Sequence, residues 1–178
     1  MSDTRSRLLE LFKSRALSFG EFTLASGQKS SYYINSKKVL FHSEAAFLLG
    51  EAIWAATQDL DIQAIGGLEV GAIPMAAVAV AAYHRHGRTL EGFFVRKKTK
   101  EHGSQAKIEG VLQAGDKVVI LDDVLTTGGS ALDAIQEVER AGGVVSRVVC
   151  IVDRLQGARE KLAGYDFRPL FTIRDLGI

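Results

Sequence analysis

The string from Val118 to Ser130, VVILDDVLTTGGS, constrains this chain more than any other part of it. Val118, Val119, Ile120 and Leu121 are four apolar residues in a row, with no polar face between them. Such a run suits a strand buried on both sides, as in a parallel sheet covered by helices. A helical pattern over 131–141 follows and stops at Gly142-Gly143. Open parallel sheets take their ligands outside the carboxyl ends of the strands, which is where Asp122 and Asp123 fall. The turn Thr126-Thr127-Gly128-Gly129-Ser130 then offers backbone N–H groups at a helix N-terminus, a cradle for phosphate. Acids accept from hydroxyls and amides hold phosphate, so the combination suits a phosphorylated sugar.

The rest of the chain supplies the sheet. Residues 3–16 have the period of an amphipathic helix, with Leu8, Leu9, Leu11 and Phe12 on its apolar stripe. Short strands over 19–24 and 32–34, joined by the turn Ser26-Gly27-Gln28, are expected to pack as a cap. Lys29, Tyr32 and Tyr33 are there as candidates to face a ligand, against the plainer reading of a solvated lysine and two ordinary tyrosines. Ser43 is placed to cap a helix over 44–58, with Glu44 favouring its dipole. A strand over 62–67 leads through a turn at 66–71 into a helix over 72–85, with Pro74 in its first turn. That turn lacks dinucleotide-binding glycine spacing, but its place after a strand makes it a candidate pyrophosphate contact. His84 and His86 close the helix without further metal ligands and read as structural. Strands over 89–95, 117–122, 144–152 and 167–173 and a short helix over 156–163 complete the pattern. Strand and helix alternating at this spacing predict an α/β fold, a doubly wound, mainly parallel sheet flanked by helices. One domain over 1–178 is expected, with a small N-terminal hood over 1–40 and a core over 41–178.

The totals exclude several other classes. With 178 residues, 47% hydrophobic and 24% charged, the chain has the composition of an ordinary globular protein. A formal net charge of +1 gives no general attraction to nucleic acid or to an anionic membrane. No apolar run reaches membrane-span length, and the first ten residues are charged without an apolar signal core. Cys150 is the one cysteine, set in an apolar run, and reads as a buried thiol. A cytoplasmic protein is expected.

Positive charge is nevertheless concentrated in one place. Over 96–107, Arg96, Lys97, Lys98, Lys100 and Lys107 stand against Glu101 alone, within the stretch 96–113 where apolar periodicity disappears. A solvated loop is the plain reading; a nucleic-acid patch would call for interleaved aromatics. The functional reading is a mobile loop over 96–109 that closes on a polyanion, stabilises a leaving diphosphate and excludes water.

The string 118–130 resembles the phosphoribosyl pyrophosphate signature of the type I phosphoribosyltransferases. Arg96-Lys97-x-x-Lys100-x-His102-Gly103, Gly20-Glu21-Phe22-Thr23-Leu24-x-Ser26-Gly27, Lys29-Ser30-x-Tyr32 and Asp153-Arg154 narrow the resemblance to the orotate phosphoribosyltransferase family. It implies transfer of ribose 5-phosphate from phosphoribosyl pyrophosphate to orotate, with Mg²⁺ held mainly through substrate and water, in pyrimidine biosynthesis. It further implies that Asp122 and Asp123 hold the ribose hydroxyls, and that Val124, Leu125, Thr126, Thr127, Gly128, Gly129 and Ser130 surround the 5′-phosphate. Thr126 and Arg154 would contact orotate. Arg96, Lys97, Lys100 and His102 would meet the diphosphate, with the loop shared across a homodimer. A planar guanidinium suits a planar carboxylate, so the chemistry of Arg154 agrees with its implied role. Two positions depart from the family pattern: Ala25 and Gly71 stand where many members carry lysines. A purine phosphoribosyltransferase would have no use for Arg154 as a carboxylate partner. A regulator that senses phosphoribosyl pyrophosphate and binds nucleic acid would need a basic face.

Overall fold

The computed structural model describes residues 2–23, 29–98 and 107–178. Helix α1, Ser2–Arg15, turns Leu8, Leu11 and Phe12 into the core. Strands β1, Leu17–Thr23, and β2, Lys29–Ile34, pair antiparallel as the expected hood. A single turn, α2, Lys37–Leu40, then leads to α3, Ser43–Thr57. The remaining elements are β3 (Ala64–Leu68), α4 (Ala72–Arg85), β4 (Glu91–Val95), β5 (Ile108–Gly110), β6 (Lys117–Leu125), α5 (Gly129–Arg140), β7 (Val144–Asp153), α6 (Ala158–Lys161) and β8 (Phe167–Thr172).

Six strands form one sheet in the order β5-β4-β3-β6-β7-β8, parallel except for the edge strand β5. Side chains of a strand point to alternate faces, and here both faces are covered. Val119 and Leu121 of β6 join a core with α1, α3 and α4, whereas Val118 and Ile120 join one with α5. That is the two-sided burial implied by the unbroken apolar run. The chain moves outward from β3 to β4, then returns to place β6 on the other side of β3. Strand order therefore reverses between β3 and β6, and open α/β sheets bind ligands at such a point.

Arg147 ties the far side of this sheet together. It is 2% exposed, donates to both Asp59 carboxylate oxygens at 2.7 and 2.9 Å, to Asp166 at 2.7 Å and to the Ala56 carbonyl at 2.5 Å. It joins β7 to the end of α3 and to the approach to β8.

Local departures from the sequence pattern have local causes. Gly66 and Gly67 lie inside β3, not in the turn after it. His42, not Ser43, caps α3, its ring nitrogen accepting from the Ala45 N–H at 3.5 Å. Strand β5 lies within the segment where periodicity vanished; three residues at a sheet edge are too short to display a period of two. No helix among the described residues is long and apolar enough to cross a membrane.

Candidate active site

Strand β6 runs on through Leu125, so Asp122 and Asp123 lie on the strand and inherit its alternation. Their outer partners differ, while the two carboxylates stay close enough to interact directly. Asp122, 8% exposed, meets the Ser130 hydroxyl in the first turn of α5, which donates to it at 2.5 Å. Asp123 faces the hood side, where the Ser36 hydroxyl donates to it and the Lys37 ammonium stands 3.2 Å away. Burial pushes the Asp122 carboxyl up to about 7; the Asp123 charge adds to the rise and the Ser130 hydroxyl only partly offsets it. Burial also works against charge on Asp123, but Ser36 and Lys37 together outweigh it and hold that carboxyl below its ordinary value. Two adjacent, chemically identical acids are thus driven apart. One holds a proton near neutrality and can donate, while the other is a fixed acceptor. Two vicinal hydroxyls can be held by such a pair.

Immediately beyond, Gly128 takes a left-handed conformation, φ 80°, and α5 begins with no side chain capping it. A residue with a side chain would be strained there. Uncapped, the first N–H groups of α5 remain available to a phosphate, and the helix dipole favours negative charge. Thr126 is half-buried, Thr127 exposed and Gly128 buried, whereas Val124 and Leu125 pack inward.

Arg154 emerges one strand along, after β7. Its backbone N–H donates to the Leu125 carbonyl at 2.9 Å, which fixes it beside the end of β6. Its guanidinium lies 4.7 Å from the ring centroid of Tyr32, and its Nε donates to the Tyr32 hydroxyl at 3.2 Å. The hood is thereby pinned over the site. Tyr32 does face the site, and Tyr33, one residue along, is 45% exposed. The neighbouring acid, Asp153, makes its contacts elsewhere. Asp153 is fully buried, and its Oδ1 accepts from the Leu155 N–H at 2.8 Å. Its Oδ2 lies 3.5 Å from Arg159, in ion-pair range but misaligned for a hydrogen bond. Arg154, 8% exposed, has no carboxylate partner among the described residues. A buried cation without a counter-charge is costly unless an anion arrives to pair with it.

The turn after β3 borders the same crevice. A Cβ added at Gly71 would lie 2.5 Å from the Asp123 carboxyl carbon, so the carboxylate occupies the space a longer residue would need. Lys37, which no local signal singled out, brings an ammonium to that carboxylate from 86 residues away.

The cationic segment is described only at its two roots. Lys100 and His102, like Ala25, lie outside the described residues. Arg96 stands 3.6 Å from Glu109, and Lys107 donates to Glu137 on α5 at 2.7 Å. Arg96, Lys97 and Lys107 line a separate cavity of about 420 Å³ beside α5. Within one chain they make no hydrogen bond to the acid pair among the described residues.

A larger cavity, about 510 Å³, lies between α1, α3 and β8. Its charged liners are already paired, Glu51 with Arg85 and His86, and Arg168 with Asp166. Its lining residues include none of the acid pair, the 126–130 turn or Arg154. His86 also stacks on Trp54, consistent with a structural role. Among the described residues no group of three or more His, Cys, Asp or Glu could close around a metal ion. Mg²⁺ needs few protein ligands when substrate oxygens and water supply the rest. Two carboxylates at a strand end fit an ion carried in on the substrate.

Comparison with known proteins agrees with this geometry. The model of the phosphoribosyl transferase domain matches residues 38–171. The chain is 43% identical to the orotate phosphoribosyltransferase of a Bradyrhizobium species, over 98% of this chain and 97% of that one. It is 44% identical to that of Methanocaldococcus jannaschii, again over 98% and 97%. Among solved structures, the Mycobacterium tuberculosis orotate phosphoribosyltransferase in complex with 5-phospho-alpha-D-ribosyl 1-diphosphate superposes with a TM-score of 0.83 at 34% identity. That superposition covers 98% of this chain and 99% of the other.

Proposed function

Because this chain belongs to the orotate phosphoribosyltransferase family, we infer that it transfers ribose 5-phosphate from phosphoribosyl pyrophosphate to orotate. The products are orotidine 5′-phosphate and diphosphate, a step of pyrimidine biosynthesis. The observation that carries the base assignment is Arg154, a buried guanidinium with no carboxylate partner among the described residues, fixed beside the strand that bears the acid pair. Orotate supplies a carboxylate; purine bases do not.

The reaction breaks the bond from ribose C1 to the diphosphate oxygen and forms one from C1 to an orotate nitrogen, whose proton leaves to the diphosphate or water, through an oxocarbenium-like sugar. Asp122 and Asp123 orient the ribose by its hydroxyls, one acid as donor and the other as acceptor. The 126–130 turn anchors the 5′-phosphate at the start of α5. Arg154 holds the orotate carboxylate, its planar fork matching two oxygens at once, and Thr126 lies beside it. Asp122 and Asp123 would stand beside Mg²⁺ held mainly by substrate oxygens and water, and the ion would supply charge neutralisation for the diphosphate. Arg96, Lys97, Lys100 and His102 stabilise the leaving diphosphate as its charge develops, and segment 96–109 excludes water from the activated sugar. Lys37 stands near Gly71, where family members often carry a lysine, and we assign to it the part of that missing cation.

The working unit is a single domain over 1–178, with a hood over 1–40, in a cytoplasmic homodimer whose subunits share the 96–109 segment. Exposed Phe41 and Phe47, 74% and 53% accessible, and Val70 at 56% support an apolar contact between copies. Incubation with phosphoribosyl pyrophosphate, Mg²⁺ and orotate, followed by chromatography, tests the assignment. Stoichiometric orotidine 5′-phosphate and diphosphate are expected, and absence of both overturns it. Sedimentation tests the dimer.

A further inference from the structure

The chain leaves the sheet at Val95, and the fate of the next two amides differs. The Arg96 N–H donates to the Lys107 carbonyl at 2.8 Å, a rung between the two described roots of the cationic segment. The Lys97 N–H lies beyond that rung. It donates instead to a carboxylate oxygen of Glu69 at 2.8 Å. The Glu69 N–H in turn donates to the Val95 carbonyl at 2.8 Å. One residue of the β3–α4 turn thus grips the chain on both sides of Arg96, once through its main chain and once through its side chain.

Two residues further along the same turn, Gly71 abuts the Asp123 carboxylate. The turn 69–71 therefore spans the distance between the ribose-holding acid and the root of the cationic segment. A carboxylate in a crevice meant for a polyanion would repel it at long range. Its presence is understandable if geometry matters more than charge: a carboxylate accepting a backbone N–H makes a short, charge-assisted bond that locks the peptide in place.

We propose that Glu69 is a positioning residue for the transfer reaction. It acts through the Lys97 backbone to fix where Arg96 and Lys97 enter, relative to the turn that borders Asp123. Glu69 need not touch substrate. The inference rests on the reading that these cations serve the diphosphate.

Two variants and two readouts test it. In Glu69→Gln the side-chain carbonyl still accepts from Lys97 while the charge is gone; in Glu69→Ala the acceptor is lost. Amide hydrogen exchange at Lys97 should speed up at least about tenfold in Glu69→Ala and stay near the wild-type rate in Glu69→Gln. In steady-state assays Glu69→Ala should lower kcat roughly tenfold, on the order of one hydrogen bond, with KM for orotate unchanged. Glu69→Gln should keep kcat within about threefold of wild type on the same scale. Thermal unfolding of both variants shows whether Glu69→Ala is folded; if it is not, the exchange and kinetics of Glu69→Gln decide. Wild-type kinetics in Glu69→Ala overturn the proposal, as does Glu69→Gln as impaired as Glu69→Ala, which would mean charge rather than position. A wild-type enzyme that forms no orotidine 5′-phosphate defeats the functional reading instead, and the exchange comparison still tests the contact.

Discussion

Replacing Arg154 with glutamine removes a charge that the free protein leaves without a carboxylate partner among the described residues. On the proposed reading, that guanidinium pairs with the orotate carboxylate in the complex. Losing one partner of a buried, hydrogen-bonded pair costs about 3–5 kcal/mol. At about 1.4 kcal/mol per factor of ten, kcat/KM for orotate should fall between roughly 10²- and 10⁴-fold. In the free protein the side chain gives up only its place over the Tyr32 ring and its bond to that hydroxyl. A partly buried cation–π contact is worth about 1–2 kcal/mol, and relief of the uncompensated charge offsets part of it. The thermal midpoint should therefore move by no more than about 4 °C for a chain this long. Arg154→Lys keeps the charge without the planar fork and should recover only part of the loss. The assay is steady-state kinetics with each substrate varied in turn, alongside thermal unfolding. Near-normal orotate kinetics in Arg154→Gln would refute the reasoning. So would a KM for phosphoribosyl pyrophosphate raised as much as that for orotate, since Arg154 would then be organising the whole site.

Three further outcomes are expected. Lys100→Ala should lower kcat by about 10²-fold, the effect of removing one transition-state charge contact, while the Kd for phosphoribosyl pyrophosphate, read by calorimetry, changes far less; equal losses would sink the proposed role of the loop. Asp122 has a folded-state pKa of about 7, above its unfolded value, so the stability it contributes is full at low pH and lost as pH rises through 7. Urea unfolding of wild type and Asp122→Asn should then show the variant gaining on the wild type between pH 5 and 8.5, and a constant gap would contradict the raised pKa. Arg147→Ala should lose about 3 kcal/mol in denaturant unfolding, with kinetic constants intact in the folded fraction, because it ties α3 to β7 away from the crevice.

What was legible in the sequence was what lies contiguous along it. The buried strand, the acid pair, the glycine turn and the following helix occupy one unbroken string, and short-range physics suffices to place them. Arg154 was legible because it ends the next strand. The unequal characters of Asp122 and Asp123 were not. They arise because the acids meet different partners, Ser130 for one and Ser36 with Lys37 for the other, and Ser36 lies 87 residues from the Asp123 it touches. Nothing in the local pattern of Ser36-Lys37-Lys38 announces that meeting. Glu69 was missed for a similar reason. The turn was noticed for its glycines, but the acid between them acquires meaning only when β4 is laid parallel to β3 and Lys97 comes within reach. Strand order and the antiparallel edge strand β5 are tertiary choices that periodicity over three residues cannot carry.

The central claim is a division of labour: the 118–130 string holds the sugar and Arg154 chooses the base. A competition experiment tests it most directly. The protein is given phosphoribosyl pyrophosphate, Mg²⁺ and an equimolar mixture of orotate, uracil, adenine and guanine, and each base is followed by chromatography. Orotate alone should be consumed, with uracil, the same ring without the carboxylate, left behind. Consumption of a purine, or of uracil as readily as orotate, would contradict the account.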